Sequence, residues 1–237
     1  MELPQGLARY VWTEWPACSV LAQLSVELRT RFLRLGKLRT YSREEVIIAE
    51  NATTTEVYVI LSGFVRVLNH TSTGNIAVIA LRTVGELVGE LAAMDGRPRI
   101  STVIAASRVV TVMLDAPLFR TFIAENPAAG EIITRSVVSK LRTATRYRVE
   151  TGRASILTRV ARVLDHLGES YGRTVSSGLL IDIPMPQRDL AALVGTSEKS
   201  IYRAYALLER QGVIEVNYRR IVILDIERLR RYADDMG

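Results

Sequence analysis

The chain has 237 residues, is 48% hydrophobic and 24% charged, and carries a formal net charge of +6 with a sequence pI near 9.7. That composition is enough for one large or two modest cores, and the basic balance fits a polyanion partner. No uncharged apolar run reaches the ~18 residues of a membrane span, one cysteine (Cys18) cannot form an intrachain disulfide or a four-thiolate cluster, and His70 and His166 cannot make a three-imidazole metal site; we expect no membrane partner, no metal, no enzyme activity and a cytoplasmic setting.

Residues Met1 to Val20 carry Glu2, Arg9 and Glu14 and make a poor secretory signal. Ser25 to Leu35 reads as a helix, because Leu24, Leu28, Phe32 and Leu35 recur at spacings of three and four. The period then changes. Val46 to Ile48, Val57 to Leu68, Ile76 to Leu81 and Ser101 to Met113 are short and rich in β-branched residues. Turn-forming segments separate them: Asn51 to Thr53, Ser62-Gly63, Ser72 to Asn75 and Asp95 to Pro98. Close-spaced short strands predict a small sandwich or barrel rather than a parallel sheet.

From Asp115 the pattern is helical again, with Asp115 expected to cap a helix through Phe119, Phe122 and Ile123. Asn126-Pro127 interrupts it. Glu131 to about Thr151 contains no proline or glycine, and Ile133, Val137, Leu141 (or Lys140) and Ala144 form an imperfect apolar seam. Such a helix needs a partner for its stripe, and we expect both its own domain and a symmetric second copy to supply one. Excess positive charge gathers here, at Arg135, Lys140, Arg142, Arg146, Arg148 and Arg153, which reads as a solvated helix face; from Ala154 onward 12 Lys/Arg nearly balance 11 Asp/Glu. Gly152 is the expected hinge. A helix from Ser155 to Leu167, a polar loop from Gly168 to Gly178 and a strand from Leu180 to Met185 follow.

Gln187 to Val194 reads as a short helix, Gly195-Thr196 as a tight turn, and Ser197 as the N-cap of a helix running to about Gln211, with Gly212 just past its end. Ile201, Ala204, Tyr205, Leu207 and Leu208 form its inner face. Two helices joined by a glycine turn, with small Ala191 at their crossing, read as a helix-turn-helix, whose second helix would enter the major groove of duplex DNA; the plainer alternative is an αα-hairpin that merely packs. Val213 to Val216 and Ile221 to Leu224 flank a basic tip, Asn217 to Arg220, as a wing able to touch phosphate. Asp225 caps a last helix from Ile226 to Tyr232. The expected DNA-contacting set is Gln187, Ser197, Glu198, Lys199, Ser200, Tyr202, Arg203, Arg219 and Arg220.

On these residues the sequence resembles the CRP/FNR family of regulators. The resemblance covers about Leu21 to Leu224. "YVILSG" (Tyr58 to Gly63) resembles the strand before the family's glycine turn, "GELVGELAAMDGRPR" (Gly85 to Arg99) its phosphate-binding cassette, and "AALVGTSEKSIYRAYALLERQGVI" (Ala191 to Ile214) its helix-turn-helix. It implies an α+β chain: a cupin-like β-roll of the cyclic-nucleotide-binding type (1–127), a long dimerisation helix (128–152) and a winged helix-turn-helix (153–237). The implied partners are double-stranded DNA at a near-palindromic site, a second copy of the chain, and RNA polymerase.

The resemblance also implies a ligand set. The main chain at Gly89 would approach a phosphate, Glu90 would meet a ribose hydroxyl, and Arg99 would pair with the phosphate. Leu91, Ser101 and, from the long helix, Thr145 complete the set. Ile100 stands where a hydroxyl donor is usual, and Ala144 where the first of two hydroxyls meets the adenine. A lost hydrogen bond to a charged group costs about 1.5–3 kcal/mol, roughly ten- to hundredfold in affinity. Weak cyclic-AMP control is therefore expected, with another anionic ligand, a cyclic dinucleotide, no ligand, or a structural Glu90–Arg99 ion pair as alternatives. Glu44 and Asn51 replace turn glycines; asparagine tolerates positive φ and glutamate does so poorly, so the Glu44 turn is expected to differ. Arg203 matches the arginine that contacts guanine, whereas Glu198 and Lys199 depart from the usual arginine and glutamate. Pro186 replaces a common threonine cap. Two competing classes stay open: a ligand-binding module whose C-terminal domain contacts protein, and a cupin-type enzyme, which would need ligating side chains this sequence lacks.

Overall fold

The computed structural model describes Leu7 and residues 15–70, 76–150, 154–181, 186–217 and 220–234. The turn at 72–75, Gly152 with Arg153, residues 182–185, and Tyr218 with Arg219 lie outside them, as do the side chains of Arg146 and Arg148. The chain divides into two compact units, Met1–Leu141 and Arg142–Gly237.

In the first unit, two short helices, α1 (Val20–Gln23) and α2 (Val26–Arg34), precede eight strands: β1 (Lys37–Tyr41), β2 (Val46–Ile48), β3 (Val57–Ser62), β4 (Val65–His70), β5 (Ile76–Arg82), β6 (Leu87–Val88), β7 (Thr102–Ala105) and β8 (Val109–Leu114). They form two antiparallel four-stranded sheets, ordered β1-β8-β3-β6 and β2-β7-β4-β5. Side chains alternate across a strand, so β3 serves two cores at once. Val57, Val59 and Leu61 meet helical residues Phe32, Phe119, Phe122, Ile132 and Ile133, while Tyr58 and Ile60 meet Ile47, Val65, Val103 and Val109. Phe32 stacks against Phe122 with ring centroids 4.7 Å apart. This is the expected roll.

Three local expectations need correction. Asp115 stands at the N-cap of α4 (Ala116–Glu125) but its carboxylate makes no capping bond. Pro117 follows in the first turn and removes one of the orphan N–H groups such a cap would satisfy. The turn expected at Asp95 to Pro98 is corrected at its first residue, because Asp95 is the last residue of a helix, α3 (Glu90–Asp95). The Glu44 turn keeps the left-handed backbone, with φ 68° at Glu44 and 65° at Asn51. Glu44 is held there by main-chain bonds from its own N–H to Ala105 O and from the Ala105 N–H to Glu45 O, and by an ion pair with Arg66.

The long helix α5 (Pro127–Glu150) starts directly at the proline and runs for 24 residues. At 1.5 Å per residue it is about 36 Å long. Its first turns belong to the core of the first unit through Ala129, Ile132 and Ile133. Farther on the stripe is uncovered: Val138 is 43% and Leu141 65% exposed.

In the second unit, α6 (Ile156–Tyr171) continues past Gly168, where a loop is expected from sequence. Gly168 is small because of its neighbours: a Cβ there would stand 2.9 Å from Ile223 Cδ1 and 3.0 Å from Leu179 Cδ2. The rest of that expected loop is strand β9 (Gly172–Val175), on the edge of a sheet ordered β11-β12-β10-β9. The others are β10 (Gly178–Ile181), β11 (Ile214–Asn217) and β12 (Arg220–Ile223). Helices α7 (Gln187–Val194), α8 (Glu198–Arg210) and α9 (Ile226–Asp234) complete the unit, and Asp225 Oδ1 accepts from the Arg228 N–H at 2.9 Å as the expected cap. No described helix is long and apolar enough to cross a membrane.

Candidate functional site

The cassette is assembled around Gly89. This residue ends β6 and starts α3 with φ 87°, a left-handed conformation open mainly to glycine. The turn brings its carbonyl to Arg99, whose Nη1 donates at 2.8 Å. Arg99 also donates from Nη2 to Glu56 O at 2.8 Å and to Glu56 Oε2 at 3.3 Å, and from Nε to Thr54 Oγ1 at 3.2 Å. Its side chain is only 2% exposed. Burial pulls the guanidinium below its ordinary pKa, and Glu56 is the first of the groups that oppose the shift; an arginine in such company remains charged. The loop is pinned from both sides, since the Asn51 N–H donates to Arg99 O and the Arg99 N–H to Ala52 O.

Glu90 is buried, and its partner is Lys140: Nζ donates to Glu90 Oε1 at 2.8 Å and to Leu87 O at 2.7 Å. The ion-pair alternative is thus corrected. Glu90 and Arg99 are each paired, with Lys140 and Glu56 respectively rather than directly with each other. Lys140 is correspondingly withdrawn from the solvated helix face on which sequence puts it. Of the other expected ligand residues, Ser101 is buried, Leu91 is 37% and Ile100 63% exposed, and Thr145 is exposed on α5. The structure therefore gathers Gly89, Glu90 and Arg99 and adds Thr54, Glu56 and Lys140, which sequence reasoning missed. Thr54 and Glu56 sit two apart on the extended approach to β3, a spacing that puts both on one side; that is the only sequence signal for them.

In the second unit, α7 buries Leu190, Ala191 and Val194, and α8 buries Ile201, Ala204, Tyr205 and Leu208. Gly195 closes α7 in the left-handed region (φ 70°), and the Thr196 N–H returns to Ala191 O at 2.8 Å. Ser197 Oγ then accepts from the Ser200 N–H at 3.2 Å, the expected N-cap. The leading end of α8 stays in water: Glu198, Lys199 and Arg203 are exposed and Tyr202 is 59% exposed, while Ser200 is half-buried. Arg220 is exposed at the start of β12, Gln187 is half-buried at the start of α7, and Arg219 lies outside the described residues. Sequence reasoning missed Glu209, whose Oε1 accepts from the Val216 N–H at 3.0 Å and fastens β11 to α8.

Two family models match this chain: the cyclic nucleotide-binding domain over residues 38–126 and the Crp-like helix-turn-helix domain over residues 158–232. The chain belongs to the CRP/FNR family of transcriptional regulators. It is 26% identical over 193 residues to a CRP-like cAMP-activated global transcriptional regulator of Mycobacterium tuberculosis, covering 81% of this chain and 86% of that one. It is 27% identical over 209 residues to the nitrogen fixation regulation protein FixK of Bradyrhizobium diazoefficiens, covering 88% and 86%. The solved structure of FixK2 from Bradyrhizobium japonicum matches with a TM-score of 0.73 at 20% identity, covering 85% of this chain and 99% of that one. The CRP/FNR assignment places Gly89, Glu90 and Arg99 inside the first matched domain and α7 and α8 inside the second.

Proposed function

We propose that this CRP/FNR regulator works in the cytoplasm as a homodimer that reads duplex DNA through the leading end of α8. One observation carries the reading. Helix α8 buries Ile201, Ala204, Tyr205 and Leu208 and leaves Glu198, Lys199, Tyr202 and Arg203 in water behind a Ser197 cap. A helix held this way presents its first turns to base edges, with Arg203 suited to a bidentate guanine contact. Gln187, Ser197, Ser200, Arg219 and Arg220 would position the module on the phosphates. The dimer would form along 128–152 between the roll at 1–127 and the winged module at 153–237, setting two α8 helices about 34 Å apart. A small anionic ligand, where one acts, would meet Gly89, Glu90, Leu91, Arg99, Ile100 and Ser101 of the roll and Thr145 of the long helix; a regulator acting without ligand is the alternative, and in either case a surface of the bound dimer would meet RNA polymerase. Nothing in this role requires catalysis.

Selection of bound fragments from a genomic library, followed by gel shift on the enriched sequence, tests the reading. Specific retention is expected, falling steeply with salt. Arg203→Ala should cost about 1–3 kcal/mol of discrimination, roughly ten- to hundredfold. Unchanged specificity in that variant would remove Arg203 from the interface, and the absence of any enriched sequence would favour a protein-contacting module instead.

A further inference from the structure

Arg99 is already engaged. Of the five N–H hydrogens of a guanidinium, Nε–H goes to Thr54, one Nη1–H to Gly89 O, and the two on Nη2 to Glu56 O and Glu56 Oε2. One Nη1 hydrogen is left over. A bidentate grip on a phosphate needs two parallel N–H groups. A phosphate can therefore take Arg99 in that way only by displacing an existing partner. The Glu56 carboxylate is the partner most open to displacement, since its contact is the longest of the four and its side chain is 33% exposed.

We infer that Glu56 is a specificity-determining residue of the cassette: its carboxylate holds Arg99 in the place of a ligand phosphate, so the protein binds cyclic nucleotides weakly and binds DNA without them. The DNA half of this inference rests on the function proposed above.

Charge points the same way. Glu56 and Glu90 balance Arg99 and Lys140 in paired contacts, leaving the quartet without net charge. An anion site needs an excess of positive charge. Ile100, the neighbour that would add a donor, has none. Gly89 leaves no slack either, because the Arg99 Nη1 stands 2.6 Å from where a Cβ on Gly89 would be. The ligand's anionic position is thus filled by the chain itself, and the roll is held by internal pairs.

Isothermal titration of the full-length protein with cyclic AMP, cyclic GMP and inorganic phosphate tests this in wild type, Glu56→Gln and Glu56→Ser. The wild type should show no saturation below millimolar nucleotide. Glu56→Ser withdraws the acceptor from one edge of Arg99 and should tighten cyclic-AMP binding about ten- to hundredfold, the effect of one hydrogen bond to a charged group, while Glu56→Gln removes the charge but keeps an amide oxygen acceptor and should tighten it by a smaller factor. Adding Arg99→Lys, which keeps the charge but loses the fork, should abolish that gain. Micromolar cyclic-AMP binding by the wild type overturns the inference, and this arm needs no variant to fold. Variants that fold, by circular dichroism, yet bind no tighter than wild type overturn it as well. In a parallel gel shift, the wild type should retain its fragment equally with and without millimolar cyclic AMP. Retention that requires the nucleotide overturns the inference. No retention under either condition counts against the regulator reading, while the calorimetry still decides the role of Glu56.

Discussion

At the scale of single residues, the cassette shows two different reasons for glycine. Gly89 and Gly96 flank α3 in the same left-handed backbone, with φ 87° and 70°. A Cβ at Gly96 would meet nothing within 4 Å, whereas one at Gly89 would stand 2.6 Å from Arg99 Nη1 and 2.7 Å from Glu56 O. Gly96→Ala should therefore cost only the conformational term, about 1 kcal/mol. Gly89→Ala adds the clash and the loss of the Arg99 bonds, and should cost about 2–4 kcal/mol. Thermal unfolding of the two variants side by side checks the difference, and equal losses would mean that Arg99 is free to move aside. Glu44 and Asn51 show the converse, a left-handed backbone kept without glycine because the surrounding ladder imposes it.

At the scale of elements, legibility followed the strength of the local signal. Helices α7 and α8 could be read residue by residue, because an apolar stripe, a glycine turn and a serine cap agreed. Ser197→Ala should lower the stability of the second unit by about 1 kcal/mol, as measured by urea unfolding, through loss of the bond to the Ser200 N–H. An unchanged midpoint would show that water replaces the hydroxyl. The elements that escaped were edge strands and short pieces. Strand β1 (KLRTY) and strand β9 (GRTV) carry charges in place of apolar alternation, as edges often do. Helix α3 is too short to show a period. Gly168 looked like a helix end because the sequence cannot show Leu179 and Ile223 pressing on it from the sheet. The same limit applied to the cassette: Gly89, Glu90 and Arg99 could be picked out by motif, but their partners Glu56 and Lys140 come from distant positions, and only folding brings them in.

At the scale of the molecule, α5 divides its length between two duties. Ile132 and Ile133 are buried in the first unit, while Val138 and Leu141 remain exposed. An apolar stripe left in water on a long helix is the surface a second copy would cover. Leu141→Glu should leave the fold intact and shift the protein toward monomer in sedimentation velocity, with a loss of affinity for a two-half-site fragment much larger than for a single half-site. A dimer unchanged by that charge would place the interface elsewhere.

The Glu209 carboxylate gripping the Val216 N–H has a mechanical consequence. The bond ties the first strand of the hairpin to the last turn of α8, so a duplex seated against the helix would also bear on the hairpin. A tether of that kind, worth about 1 kcal/mol, would make the two elements yield together under load before either parts from the other.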